Sequence, residues 1–102
     1  MIQQYSGHHQ YDHRVISDWA YSVIGVYYCG YLQANGMLFP LYVGKATGKE
    51  GIRGRLLQHL QQSDLPGISH FGFCVCSSEK EADDFEANEI KRLQPRHNIQ
   101  GK

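Results

Sequence analysis

The sequence has no net charge: its 102 residues carry ten Lys and Arg against ten Asp and Glu. It therefore lacks the basic excess that usually accompanies phosphate binding. Six His add positive charge only below about pH 6.5. No apolar run approaches the ~20 residues of a membrane span, so no membrane partner is expected. Met1 to Arg14 are polar and His-rich and lack the apolar centre of a signal peptide. Cysteine is scarce, with three residues in no framework spacing, which argues against a disulfide-stapled secreted domain. A reducing, cytoplasmic setting fits best. Cys74 and Cys76, two apart, have the look of half a zinc site, but Cys29 is far off in sequence, and plain strand thiols are the simpler reading. There is no internal repeat and no low-complexity tract. The length suits one domain and leaves little room for a separate recognition module.

Residues 1–17 read as an arm that orders only if something holds it, and residues 18–102 as a single domain. His8, His9 and His13 suggest metal by spacing alone; a polar tail explains them as well. Ser22 to Leu32 is β-branched and aromatic, which favours a strand. Gln33-Ala34-Asn35-Gly36 supplies a hairpin turn, and Leu38 to Val43 the returning strand. Pro40 demotes the start of that strand to an edge or a bulge. A glycine-rich loop, Gly44 to Gly51, precedes a helix from Ile52 to Gln62 with Ile52, Leu56, Leu57 and Leu60 at helical spacing. Asp64-Leu65-Pro66-Gly67 ends it. Ser69 to Cys76 alternates, with Phe71, Phe73 and Val75 on one face. Ser78 and Glu81 resemble a capping box for a helix from Glu79 to Leu93, which Pro95 stops. The expected fold is α+β: a small three-stranded antiparallel sheet flanked by helices, in the order ββαβα plus a tail.

Some residues sit awkwardly on this pattern. Ile24, Val26 and Tyr28 share one face of the first strand, and Phe39, Leu41 and Val43 one face of the second; these are the expected core faces. Tyr27 and Tyr42 fall on the opposite faces, where two phenols can share one surface. On the last helix Ala82, Phe85, Ile90 and Leu93 form the apolar stripe. At ~100° per residue, Glu86 and Glu89 point into it. An inward carboxylate is costly unless it is paired or metal-bound. Arg55 and His59, four apart, can act on one ligand. Lys45 can reach a phosphate or simply water.

These residues line up in order. Gly25-Val26-Tyr27 with Tyr42-Val43-Gly44-Lys45, then Arg55-Leu56-Leu57-Gln58-His59, then Glu81 to Lys91 with Glu86, then Gln94-Pro95-Arg96-His97-Asn98 resemble the GIY-YIG nuclease signature. The last stretch is similar to the end of the nuclease domain of bacterial excision-repair incision proteins. The resemblance runs over residues ~23–99. The interval from Tyr27 to Tyr42 is longer than in compact members, as is the loop from Lys45 to Arg55. That loop offers Arg53 and Arg55 as the family arginine; the spacing to His59 favours Arg55.

The resemblance implies an endonuclease that hydrolyses phosphodiester bonds with one divalent cation, Mg²⁺ or Mn²⁺, and DNA ahead of RNA as substrate. Glu86 would be the metal ligand. Tyr27 and Tyr42 would be the two family tyrosines, one of which orients or deprotonates the attacking water. Arg55 would hold the scissile phosphate, with Lys45, Arg53 and Arg96 as further phosphate contacts, and Lys45 together with the metal would also favour a tyrosine phenolate. His59 replaces a Tyr used by some members, and Asn98 would shape the site from the tail. Glu89 is read as an ion-pair partner of a neighbouring Arg. A non-catalytic nucleic-acid-binding or regulatory module with the same fold is the alternative. No helix-turn-helix, finger or basic arm is visible, so a homodimer or a separate targeting subunit is expected as partner; the sequence shows no clear dimer face, and Trp19 and the arm can pack on a partner as easily as on their own domain. Neutrality conceals an asymmetry: Lys45, Lys49, Arg53 and Arg55 face only Glu50 between residues 44 and 59, while Asp and Glu dominate the last helix. A local basic patch can hold a phosphate without a global excess.

Overall fold

A computed structural model describes residues 2–18, 23–63 and 65–100, without the side chains of Ile99 and Gln100. Met1, Trp19, Ser22 and Asp64, each used in the sequence reading, lie outside the described residues. Among the described residues the elements are β1 (Ser6–Gln10), α1 (His13–Ser17), β2 (Gly25–Leu32), β3 (Leu38–Ala46), α2 (Gly51–Gln62), β4 (His70–Val75), α3 (Glu79–Leu93) and α4 (Arg96–Gln100). Four strands form one antiparallel sheet in the order β1-β4-β2-β3. The α+β class holds, but the expected three strands become four.

The extra strand comes from the segment read as an arm. Ser6 lies opposite Phe73 and Gln10 opposite His70, so the free edge of β4 is what holds it. Tyr5 lies across Gly72 of β4, where a Cβ would stand 1.9 Å from its hydroxyl. The same ring meets Tyr28 edge-on at 5.5 Å. His9 stacks on Phe73. After Asp12 caps it, α1 drives Ile16 fully into the core. Alternation hid β1, because Ser6-Gly7-His8-His9-Gln10 offers no apolar face to read.

Both faces of the sheet are covered. On one, Val26, Tyr28, Val43, Cys74 and Cys76 pack with Ala82 of α3. On the other, Tyr27, Cys29, Phe71 and Phe73 pack with Ile16 of α1 and with Ile52 and Leu56 of α2. The face opposite the first expected core is thus a second core, and Tyr27 is completely buried. The three cysteines are free and buried, as plain strand thiols would be.

The β2–β3 hairpin closes through Asn35, whose side chain accepts from the Met37 amide at 3.0 Å. Further along, Cys29 faces Tyr42 but Gly30 faces Pro40, so Leu41 is an extra residue on β3. This bulge at the Pro40 step reverses the alternation. Phe39 therefore does not share the face of Val43, as expected, but is left 42% exposed against Tyr31. β3 also runs on through Gly44-Lys45-Ala46, where a loop was expected. The helix boundaries of α3 agree with the capping signal: Ser78 Oγ accepts from the Glu81 amide at 3.1 Å, and Glu81 accepts from the Ser77 amide at 2.8 Å.

Candidate active site

The hairpin register brings the tyrosines together. Tyr27 lies opposite Gly44 and Cys29 opposite Tyr42, so side chains two positions apart on one face converge, with ring centroids 6.2 Å apart. Gly44 is required by this approach. A Cβ there would stand 2.5 Å from both Cζ and Oη of Tyr27 and 2.8 Å from Cε2 of Tyr42. The buried Tyr27 ring has nowhere to move.

α2 completes this face. Its N-terminal end is fixed by the Ile52 amide, which donates to the Val23 carbonyl at 3.0 Å. Burial of Ile52 and Leu56 then turns His59, two turns on, toward the phenols. Tyr27 Oη and His59 Nε2 are 2.8 Å apart, and the His59 ring meets Tyr42 edge-on at 5.3 Å. Arg55, one turn before His59, is half-buried and donates to Gln58. Burial pushes the Tyr27 phenol far above its ordinary range and Tyr42 adds to this, while the Arg55 guanidinium pulls the other way. Burial also raises the half-buried Tyr42; Arg55 opposes that rise and Glu86 adds to it. Both phenols therefore stay protonated at neutral pH, and Arg55 is the group placed to stabilise a phenolate.

Glu86 and Glu89 take different surroundings. Glu89 is buried and fully engaged. Tyr28 Oη donates to it at 2.6 Å, and Arg92 donates through Nε and Nη2 at 2.7 and 2.8 Å. The Arg92 hydrogen bonds hold its carboxyl below the ordinary range. This is the expected ion pair, plus a tyrosine that the sequence did not single out. Glu86 is half-buried and close enough to Tyr42 and to Lys45 to act on the titration of both. Lys45 sits opposite Val26 on the α3 side of the sheet, paired with Asp83. Its ammonium is favoured first by that hydrogen bond, with smaller help from Glu86 and Glu79.

Tyr27, Tyr42, Arg55, His59 and Glu86 therefore meet around the outer edge of β3, with Lys45 on the α3 side of the same edge. Arg53 does not join them. Its guanidinium donates to the Ser17 carbonyl at 2.9 Å and ties α2 to the end of α1. Arg96 is exposed and lines a separate hollow beside Tyr31 and Phe39. Asn98 uses its amide on the β3 backbone. Its Nδ2 donates to the Val43 carbonyl at 2.9 Å, and its Oδ1 accepts from the Val43 amide at 2.8 Å. It braces the strand between Tyr42 and Gly44 like a short piece of a fifth strand.

Among the described residues no three His, Cys, Asp or Glu side chains gather to hold an ion. A divalent ion at this edge would rest on the Glu86 carboxylate, a donor set that suits Mg²⁺ or Mn²⁺, which keep most of their waters. Among the described residues no helix is long and apolar enough to cross a membrane.

No protein-family model matches the chain. The chain is 36% identical to the UvrABC system protein C of Clostridium kluyveri, over 68% of its own length and 12% of the relative's. It is 35% identical, over the same shares, to the UvrABC system protein C of Clostridium novyi. It thus spans about an eighth of the length of these curated relatives.

Proposed function

We propose that the chain is a GIY-YIG-type nuclease domain that hydrolyses phosphodiester bonds in DNA. The observation that carries this reading is the meeting of Tyr27, Tyr42, Arg55, His59 and Glu86, drawn from two strands and two helices, around one strand edge. The similarity to UvrABC system protein C supports the same direction.

In this reading Glu86 would hold one Mg²⁺ or Mn²⁺, which when bound supplies positive charge at the leaving 3′-oxygen. The protein groups divide the remaining work. Arg55 holds the scissile phosphate and stabilises the charge that builds on it. Tyr42, the half-exposed phenol, meets the attacking water. Tyr27, fully buried, steadies Tyr42 and passes hydrogen bonding on to His59, which accepts the Tyr27 proton at Nε2 when its own proton is on Nδ1. A phenol with an ordinary pKa near ~10 is a poor base at neutral pH, and burial worsens this. The guanidinium beside it is the compensating charge. Lys45 partly neutralises the acidic face of α3, which would otherwise repel the substrate.

The test is incubation of labelled single- and double-stranded DNA and RNA with Mg²⁺ or Mn²⁺, beside Glu86→Gln. Cleavage of DNA by the unaltered protein alone is expected. Equal cutting by the variant removes Glu86 from the mechanism. Absence of cutting on every substrate favours a non-catalytic binding module. Cleavage of RNA alone changes the substrate.

A further inference from the structure

The β2–β3 hairpin continues past the candidate site and ends in an exposed aromatic pair. Tyr31 lies opposite Phe39, with ring centroids 5.2 Å apart and planes inclined by 27°. Each ring remains 42% exposed. Cross-strand stacking is a common way to stabilise a hairpin, and it accounts for the inner faces of the rings. The outer surfaces are left to solvent. Alternation along β2 puts Tyr31 on the face of Tyr27 and Cys29, and the bulge at Leu41 puts Phe39 on the face of Tyr42. The pair therefore lies on the same face as the two phenols, two residues of β2 or about 7 Å along the strand from the level of Tyr42. That is the span of some two stacked nucleotides at ~3.4 Å each. Beside the rings is a hollow of about 560 Å³, lined by Pro40, Leu41, Gly67 and Arg96 as well. Among its described lining residues there is one cation and no acid.

Flat aromatic surfaces next to a lone guanidinium match an unpaired base and its phosphate. A base inside a duplex keeps its faces covered by its neighbours and cannot use such a platform. We propose that Tyr31, Phe39 and Arg96 form a stacking subsite for an unpaired base of the DNA strand, about two nucleotides from the cut bond. The subsite favours substrates with a single-stranded end or flap over blunt duplex. It rests on the nuclease reading for its distance from the cut, and on the hairpin geometry alone for binding.

The test measures fluorescence anisotropy of the full chain with labelled blunt duplex and with the same duplex carrying a short unpaired overhang, in a chelator so that nothing is cut. Phe39→Leu keeps the apolar bulk and removes the ring; Phe39→Tyr keeps the ring. Thermal melts verify that both variants fold. The unaltered protein is expected to prefer the overhang. Phe39→Leu should weaken overhang binding roughly 5- to 100-fold while leaving blunt-duplex binding in place, and Phe39→Tyr should retain the preference. Arg96→Gln should weaken overhang binding and flatten its salt dependence. An unaltered preference in Phe39→Leu, or no preference in the unaltered protein, overturns the subsite. Sedimentation showing a dimer that Phe39→Leu dissociates also overturns it, because the surface is then an interface between copies. If the protein cuts nothing but Phe39→Leu loses the preference, the subsite stands and the nuclease reading falls. If it cuts and Phe39→Leu changes nothing, the subsite alone falls.

Discussion

Replacing Glu89 and replacing Glu86 should damage the protein in opposite ways, although both sit one turn apart on α3. Glu89 is 8% exposed and takes hydrogen bonds from Tyr28, itself 6% exposed, and from Arg92. Glu89→Ala leaves the Tyr28 hydroxyl buried without its acceptor, which costs about 1–3 kcal/mol. Lost packing of the side-chain methylenes adds about 1 kcal/mol. Arg92 is largely exposed and returns to water at little cost. A loss of about 2–4 kcal/mol is expected, or roughly 10–30 °C in melting temperature for a domain of this size. Tyr28→Phe should cost less, about 1.5–3 kcal/mol for one bond to a charged acceptor. The double variant should melt close to Glu89→Ala, because each change removes the same interaction. pH supplies a second reading. The Glu89 carboxyl is held below the ordinary value by Arg92. Its stabilisation is therefore complete above the unfolded pKa of about 4.3 and is lost as pH falls through the lower folded value. The advantage of the unaltered protein over Glu89→Gln should be constant from pH 7 to about 5 and shrink below about 4. Glu86→Gln should melt within about 0.5 kcal/mol of the unaltered protein and abolish cleavage. Thermal melts by circular dichroism at several pH values, beside a cleavage assay, decide. Melting of Glu89→Ala within about 2 °C of the unaltered protein, or an equal fall for Glu86→Gln, refutes the division.

Three further outcomes are expected. Arg55→Ala should lower the cleavage rate at least a hundredfold, by about 3 kcal/mol of transition-state stabilisation, while Arg53→Ala should lower the melting temperature more than the rate; the reverse order would move the phosphate-binding role. Gly44→Ala forces a Cβ into Tyr27 and Tyr42, so it should cost about 1–3 kcal/mol of stability and most of the activity, and a fully active variant would show that the phenol pair tolerates displacement. Because burial raises both phenols, the phenolate fraction grows tenfold per pH unit below the pKa, so log kcat should climb with a slope near one from pH ~7 to ~9; a plateau beginning below pH ~8 would count against a phenolate base.

Much of this arrangement was legible in the sequence where local chemistry speaks alone. The capping residues Ser78 and Glu81, the Asn35 turn and the spacing of Ile52, Leu56, Leu57 and Leu60 each report on a few neighbouring residues, and the elements they announce are present. Glu86 and Glu89 were legible as inward carboxylates, and a neighbouring Arg as the partner of Glu89, because helical spacing alone places them; that this Arg is Arg92 comes from the structure. What failed depends on contacts between distant segments. Ser6–Gln10 is a strand only because β4 has an edge to offer. The bulge at Leu41 reverses a face, so alternation placed Phe39 in a core it does not join. Tyr27 looked like an outward residue because the second core, built from α1 and α2, cannot be inferred from β2 itself. Asn98 was named from its order in the chain as shaping the site from the tail, and the bonds it makes to the Val43 backbone became visible only once the tail was seen against β3.

The place of β1 bears on how the chain is made. Its partner β4 follows it only after the hairpin and α2. A chain emerging in order must therefore keep Tyr5 and His9 waiting until Phe71, Gly72 and Phe73 have appeared and paired with β2. Long-range closures of this kind come late and slow the search. The pairing of β2 with β3, which carries Tyr27 and Tyr42, joins neighbouring segments and can assemble first. The phenol pair is then in register early, and the N-terminal strand acts as the latch that shuts the far side of the sheet last.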